Sequence, residues 1–91
     1  MKNNLITPIN ISKNFANVYC IEPYKNKLLW IGTHGDGLFL IASQKGVVAN
    51  YKQESNNDNS LSADIIWDVH CDGKNGIWIA TPNGLDKITI E

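Results

Sequence analysis

Hydrophobic and polar residues alternate along most of this 91-residue chain, in short segments separated by residues that favour turns. Alternation with a period of two, in segments rich in Val, Ile, Tyr and Trp, is typical of β-strands. No window of about 11 residues or more has the spacing of an amphipathic helix. The pattern predicts an all-β chain with strands at Asn17–Pro23, Leu28–Thr33, Leu38–Ala42, Val47–Lys52, Ile65–Cys71, Ile77–Thr81 and Leu85–Ile90. One additional strand over Leu5–Ile11 fits the same pattern.

The segments between the strands are rich in Gly, Asn, Asp and Ser, the residues that turns and loops prefer. The longest of them, Glu54–Ser60, is polar throughout and is predicted to be a loop. Shorter turns are predicted at Tyr24–Lys27, His34–Gly37, Ser43–Gly46, Asp72–Gly76 and Pro82–Gly84.

The chain repeats itself with a period of 47–48 residues. The segment Trp30–Thr33 recurs as Trp78–Thr81, and the pair Val18-Tyr19 lines up with Ile66-Trp67 at the same spacing. The signature positions of the repeat are Trp30, Gly32, Thr33 and Gly37 in its first copy, and Trp78, Thr81 and Gly84 in its second. A colinear series of apolar, aromatic and turn positions indicates a structural repeat, and four strands in such a period match one blade of a β-propeller.

Three consecutive apolar residues stand in the second strand of each repeat, at Leu29–Ile31 and at Ile77–Ile79. Successive side chains of a strand point to opposite faces, so both faces of this strand need cover. A two-sheet sandwich leaves one face of each sheet in water, whereas a propeller blade lies between two other blades. We therefore expect Trp30 and Trp78 to lie in the core between blades.

The predicted architecture is thus all-β, with two consecutive four-stranded antiparallel blades, the second of which is represented by three strands. Residues 1–14 form an N-terminal segment that could supply an outer strand to an adjacent blade. The first blade covers residues 15–53, an inter-blade loop covers 54–62, and the second blade covers 63–91. Closed propellers have 4–8 blades, so we expect further blades. The chain is expected to be a piece of a longer propeller or, alternatively, one subunit of a ring of identical chains.

Composition narrows the range of partners. The net charge is −1 and all eight basic residues are Lys, so the chain has no Arg for a bidentate contact with phosphate or guanine. We expect no nucleic-acid partner and no membrane contact by this segment, and no secretory signal is recognisable in it. The two cysteines, Cys20 and Cys71, fall in predicted strands, where free buried thiols are favoured over a disulfide.

The repeat resembles the two-component regulator propeller repeat over residues 15–91. The resemblance rests on the Asp72-Gly73 turn, the Trp-Ile-Gly/Ala-Thr segments, the Gly-Leu pairs that follow them and the spacer Tyr51–Leu61. The first repeat departs from the pattern by having Tyr24–Lys27 in place of the Asp-Gly turn. Two other propeller families fit less well: Trp67-Asp68 stands in the first strand of its repeat rather than where a WD40 repeat has it, and the Gly-Gly pair of kelch repeats is missing.

The resemblance implies a non-catalytic, carbohydrate-responsive sensing module. Similar proteins are sensor regions of bacterial hybrid histidine kinases, so the resemblance also implies a periplasmic or other extracytoplasmic location. Histidine kinase activity would lie in domains outside this chain. Two alternatives remain: a propeller scaffold that binds other proteins, and non-catalytic blades of a propeller enzyme.

The sequence offers candidates for ligand binding rather than for catalysis. It has no nucleophile elbow, phosphate-binding loop or dinucleotide fingerprint, and we expect no catalytic residue, no metal site and no cofactor. In a propeller, the turns between second and third strands and the loops between blades share one face, where ligands usually bind. The candidates on these loops are His34, Asp36, Asn56, Asn57, Asp58 and Asn83. Their amide and carboxylate groups suit an oligosaccharide, although Asn and Asp are also common in turns that bind nothing.

Overall fold

The computed structural model describes residues 4–11 and 17–90 and contains only β-strands and the turns and loops that join them. The strands are β1 (Val18–Pro23), β2 (Leu28–Thr33), β3 (Leu38–Ala42), β4 (Gly46–Tyr51), β5 (Asp68–Cys71), β6 (Gly76–Thr81) and β7 (Gly84–Thr89). They form two antiparallel sheets, of which the first has the order β1-β2-β3-β4 and the second the order β5-β6-β7. The all-β prediction is confirmed, and the bounds of β2 and β3 agree with those predicted.

The predicted fifth strand is shorter in the structure because residues 65–67 connect the two sheets. Ile65 forms an isolated antiparallel bridge with His34, and the N–H of Ile66 donates to the carbonyl of Thr33 at 2.7 Å. The next residue, Trp67, donates its N–H to the carbonyl of Ala80 at 2.8 Å. The chain therefore bonds first to the first sheet and then to the second before β5 begins.

The repeated threonines hold equivalent turns in the two sheets. The buried Thr33 hydroxyl donates to the carbonyl of Gly37 at 2.7 Å and accepts the N–H of Asp36 at 3.0 Å. The buried Thr81 hydroxyl donates to the carbonyl of Gly84 at 2.9 Å and accepts the N–H of Asn83 at 3.1 Å. A buried hydroxyl that satisfies both its donor and its acceptor capacity fixes the turn after the second strand of each sheet.

Two signature glycines are required by their surroundings. Gly37 has a φ of 80°, and a side chain there would collide with the Tyr51 carbonyl. Gly32 lies where the segment that joins the sheets packs on the first sheet, and a Cβ at that position would overlap the Cys20 sulfur and would lie 2.7 Å from a methyl carbon of Ile66.

The two sheets pack face to face around the main hydrophobic core. The first sheet contributes Trp30 and Leu38, both with 0% of their surface exposed. The remaining buried members come from the second sheet and from the segment that joins the sheets: Leu61, Ile66, Val69, Ile77 and Ile79. Strand β1 lies beside β5, and the N–H of Cys71 on β5 donates to a Glu22 carboxylate oxygen on β1 at 2.9 Å.

A second, smaller core lies on the opposite face of the first sheet. It consists of Ile31, Phe39 and Ile41, with Leu29 and Ile11 packed against them. The three apolar residues Leu29–Ile31 are thus covered on both faces, as predicted. No strand forms over residues 4–11, where Leu5 is 91% exposed and Ile6 is 93% exposed. The expectation that this segment supplies a strand to an adjacent blade stays a prediction, and residues 1–3, 12–16 and 91 lie outside the described structure.

Trp78 lies outside both cores of the described residues, so the expectation that it lies between blades stays a prediction. Trp78 is half-buried on the side of the second sheet that faces away from the first, and no described part of the chain covers that side. Its indole N–H donates to Asp72 at 3.2 Å, and the Lys87 ammonium lies 4.8 Å from the ring centroid. The lysine stem covers part of the indole surface that a packed sheet would otherwise cover.

Candidate functional site

Residues 62–64 lie between the two turns that were expected to share one face and form hydrogen bonds with both. The carbonyl of Asp64 accepts the N–H groups of Gly35 at 3.1 Å and Gly37 at 2.8 Å. On the other side, the Asn83 side chain donates to the carbonyl of Ser62 at 2.9 Å. The turns at His34–Gly37 and Pro82–Gly84 therefore lie at the same end of the two sheets, as predicted.

The polar loop 54–60 is folded upon itself by Ser60 and Asn57. The Ser60 hydroxyl accepts the N–H of Glu54 at 2.9 Å and lies within hydrogen-bond distance of the carbonyls of Glu54 and Asn57. The Asn57 side-chain oxygen accepts the N–H of Asn59 at 2.9 Å. Internal hydrogen bonds of this kind give the loop a defined backbone conformation.

A cleft of about 440 Å³ lies between this loop, the end of β4 and the outer strand β7. Its lining residues are Tyr51, Lys52, Glu54, Asn57, Asp58, Asn59, Ser60, Leu61, Asp86, Lys87 and Ile88. The volume falls within the range of about 300–1,000 Å³ that small-molecule sites occupy. The cleft combines one aromatic ring, three carboxylates and two ammonium groups with amide and hydroxyl groups.

Two charged residues of β7 form one wall of the cleft. Asp86 accepts the N–H of Ser62 at 2.8 Å and the Ser62 hydroxyl at 2.7 Å, so its carboxylate is fixed against the joining segment. Lys87 extends from the same strand across Trp78. On the opposite wall, Lys52 pairs with Asp36 at 3.3 Å.

The structure brings together only part of the predicted binding set. Asn57 and Asp58 line the cleft, whereas Asn56 belongs to the same loop without lining it. Asp36 lies behind the cleft and contacts it through Lys52. His34 is exposed away from the cleft, with its ring 5.1 Å from that of Tyr19.

Asn83 has a structural role in this arrangement, since its side chain bonds to the backbone of Ser62. For this residue the turn interpretation fits the structure better than the ligand interpretation. Apart from the half-buried Trp78, the signature positions of the repeat serve the core and the turns, and none of the signature positions lines the cleft.

Sequence reasoning missed Asp86 and Lys87, although the repeat contains the signal that identifies them. At the equivalent positions of the first sheet, 47 residues earlier, stand Phe39 and Leu40. Phe39 is buried in the smaller core, and Leu40 packs against the main one. The second repeat therefore has charged residues where the first has packed apolar ones, which indicates that β7 has a role besides packing.

The two cysteines are free, as expected, but they are half-buried rather than fully buried. Burial raises the pKa of both the Cys20 and the Cys71 thiol above the ordinary value of 9.0. A thiol with a raised pKa is a weak nucleophile, so both residues act as packing groups in this structure.

The described residues offer no group of three His, Cys, Asp or Glu side chains that could hold a metal ion. They also contain no helix long and apolar enough to cross a membrane. A second depression of about 380 Å³ lies at the other end of the first sheet, between the turns that end near Lys27 and Lys45. None of the predicted binding residues lines it.

Comparison with known proteins adds no relative: the chain matches no protein-family model, no curated protein and no solved structure.

Proposed function

We propose that this chain is a non-catalytic ligand-sensing module of β-propeller type, in which the two sheets are consecutive blades and the cleft beside loop 54–60 binds carbohydrate. The observation that carries the proposal is the cleft itself, which joins two loop residues predicted to bind ligand, Asn57 and Asp58, with the charged residues of β7.

The chemistry of the lining suits a neutral, polyhydroxylated ligand. Sugar hydroxyls donate to carboxylates such as Asp58 and Asp86 and accept from ammonium groups such as Lys52 and Lys87. Opposite charges stand on both walls, so the cleft does not select strongly for an anion or a cation. Tyr51, which is 40% exposed, offers a ring face against which a sugar ring can pack.

The blade interpretation is supported by three features: the face-to-face packing of the two sheets, the proximity of β1 to β5, and the equivalent threonine turns. In this proposal the remaining partners are further blades, supplied by the parent protein or by identical subunits. The sensing role in an extracytoplasmic region of a two-component protein rests on the sequence resemblance alone.

The binding proposal is tested by titrating the ¹⁵N-labelled chain with a panel of neutral oligosaccharides and following backbone amide signals. We expect chemical shift changes confined to Tyr51–Leu61 and Asp86–Ile88. Asp58→Ala should weaken binding about tenfold because it removes a charged hydrogen-bonding group. Asn56→Ala, in the same loop but outside the cleft, should leave binding unchanged.

Two results would reject the proposal. One is a titration in which no oligosaccharide of the panel shifts these amides. The other is binding that Asp58→Ala and Asn56→Ala weaken equally, since that would place the ligand outside the cleft.

A further inference from the structure

The depression at the other end of the first sheet differs from the candidate cleft in charge. Its lining includes two lysines, Lys27 and Lys45, and none of the described residues that line it is an Asp or a Glu. The cleft, by contrast, has three carboxylates for its two lysines. In the described part of the chain, neither Lys27 nor Lys45 forms an ion pair. The depression, which has a volume of about 380 Å³, therefore attracts an anion where the cleft does not.

The two turns that carry these lysines are bonded to each other. In the first turn, the N–H of Leu28 donates to the carbonyl of Lys25 at 2.9 Å. In the second, the N–H of Ser43 donates to the carbonyl of Lys27 at 3.0 Å. This bond fixes the backbone of one turn relative to the other, so little ordering of the backbone is needed when a ligand binds between them.

Lys27 stands at a position where the backbone favours glycine. The two central residues of its turn, Asn26 and Lys27, have φ values of 48° and 66°. A positive φ at both positions is typical of a type I′ turn, which prefers Asn followed by Gly. A lysine at the second position costs stability, because its Cβ is strained in this conformation. The turn does not require Lys27, so its presence indicates a role outside the fold.

An apolar surface lies beside the two lysines. Leu28 and Ala42 are paired across β2 and β3, and both are half-buried. Val48 is the extra residue of a β-bulge, since Leu40 pairs with Ala49 and Ile41 with Val47. All three line the depression, and Val48 is 56% exposed. Bulges are frequent next to binding sites because they redirect a side chain.

From these observations we infer that the depression binds a small organic carboxylate that carries an apolar group. Lys27 and Lys45 bind the carboxylate, and Leu28, Ala42 and Val48 contact the apolar group. The amides of Asn26 and Gln44 and the hydroxyl of Ser43 supply further hydrogen-bond donors at the rim. This site is separate from the cleft and does not depend on the carbohydrate proposal.

The test is a titration of the ¹⁵N-labelled full chain with sodium hexanoate. We expect amide shift changes confined to Asn26–Leu28 and Ala42–Val48, with a dissociation constant of about 1–10 mM. Hexan-1-ol, which has the same apolar chain without the charge, should bind about tenfold more weakly. Raising the NaCl concentration from about 0.02 M to about 0.2 M should weaken hexanoate binding about threefold.

Substitutions at Lys27 separate the charge of the side chain from the shape of the turn. Lys27→Gly should raise the urea midpoint, because glycine suits the positive φ, and should weaken hexanoate binding about fivefold or more. Lys27→Arg keeps the charge at the same position and should bind within about twofold of the wild type. Lys45→Gln should weaken binding to a similar extent as Lys27→Gly.

The matched control is Lys25→Gln, in the same turn. Lys25 does not line the depression, and its ammonium lies 5.6 Å from the centroid of the Tyr24 ring. This variant should bind hexanoate within about twofold of the wild type, because its distance and salt screening reduce its influence.

Three results would overturn the inference. One is the absence of amide shifts at these two turns with hexanoate at up to about fivefold above the expected dissociation constant. Another is equal binding of hexan-1-ol. The third is equal weakening by Lys27→Gly and Lys25→Gln, since that would show a general attraction of anions to lysines. Oligosaccharide binding at the cleft is measured separately, so its failure would leave this inference standing.

Discussion

The two sheets carry the same signature but differ in what covers it. Trp30 and Trp78 stand at equivalent positions of the repeat, yet Trp30 is fully buried and Trp78 is half-buried. The difference comes from the neighbour: the second sheet packs on the Trp30 side of the first, whereas the described chain places no sheet on the Trp78 side. Burial of the repeated tryptophan therefore depends on whether a second sheet packs on its side of the strand.

The turns that precede β2 and β6 also differ between the two sheets. In the second sheet, Asp72 accepts the N–H groups of Lys74 and Gly76 and the indole N–H of Trp78. In the first sheet the equivalent residue is Tyr24, and the indole nitrogen of Trp30 has no hydrogen-bond partner among the described residues. The first sheet relies on packing at this corner, including the Tyr24 ring 5.6 Å from that of Trp30, where the second relies on a carboxylate.

The largest effect should come from truncating the two tryptophans. Trp30→Ala should lower the free energy of unfolding by about 3–5 kcal/mol, because it leaves a cavity in the main core. Trp78→Ala should lower it by about 1 kcal/mol, because the indole is only half-buried and its removal leaves no cavity between packed sheets. Urea unfolding followed by circular dichroism measures both. Equal costs would contradict the difference in cover between the two sheets.

A smaller effect is expected where the joining segment packs on the first sheet. Gly32→Ala should cost about 1–3 kcal/mol, because its methyl group would overlap Cys20 and Ile66. Ile66→Ala alone should cost about 2–4 kcal/mol. It also removes the γ2 carbon that the new methyl group would meet, so the double variant should be about 1 kcal/mol more stable than the sum of the single costs predicts.

Urea unfolding of the four chains in this cycle gives the coupling between the two positions. Strict additivity would show that Ile66 does not pack against Gly32, and the packing of the joining segment on the first sheet would then be wrong.

The smallest expected effect is a change of stability with pH that depends on the Asp72 turn of the second sheet. The Lys74 N–H, with the indole of Trp78, the N–H of Gly76 and the charge of Lys87, holds the pKa of the Asp72 carboxyl below its ordinary value of 3.8. A carboxyl with a lowered pKa in the folded state stabilises the fold above 3.8, and this contribution is lost as the pH falls through the folded value. Asp72→Asn should therefore lower stability at about pH 6 and have little effect at about pH 2.

Urea midpoints of the wild type and of Asp72→Asn, measured at both pH values, check this expectation. The same loss at both would mean that the charge of Asp72 does not hold the turn.

Local sequence accounts for most of the strands. The alternation and the Gly-containing turns place β2 and β3 correctly, because hairpins are formed by neighbouring residues. The start of β5 was not predictable in this way, since Ile66 and Trp67 bond to residues far away in the chain, Thr33 and Ala80.

The candidate site was predictable only where it lies in a loop. Asn57 and Asp58 stood out as polar residues in a loop between repeats. Asp86 and Lys87 belong to a strand, and their approach to the loop depends on how the second sheet packs against the first. Tertiary packing sets that arrangement, and only comparison with Phe39 and Leu40 in the first repeat could have indicated it.

The most direct test of the account is whether the two sheets pack as successive repeats. In a dilute ¹⁵N,¹³C-labelled sample, a nuclear Overhauser effect between the amide proton of Cys71 on β5 and the γ-protons of Glu22 on β1 reports this contact. The structure predicts the cross-peak, because the Cys71 nitrogen lies 2.9 Å from a Glu22 carboxylate oxygen. If cross-peaks occurred only within each sheet and this one was missing, the two sheets would not pack together, and both the cleft and the blade interpretation would lose their basis.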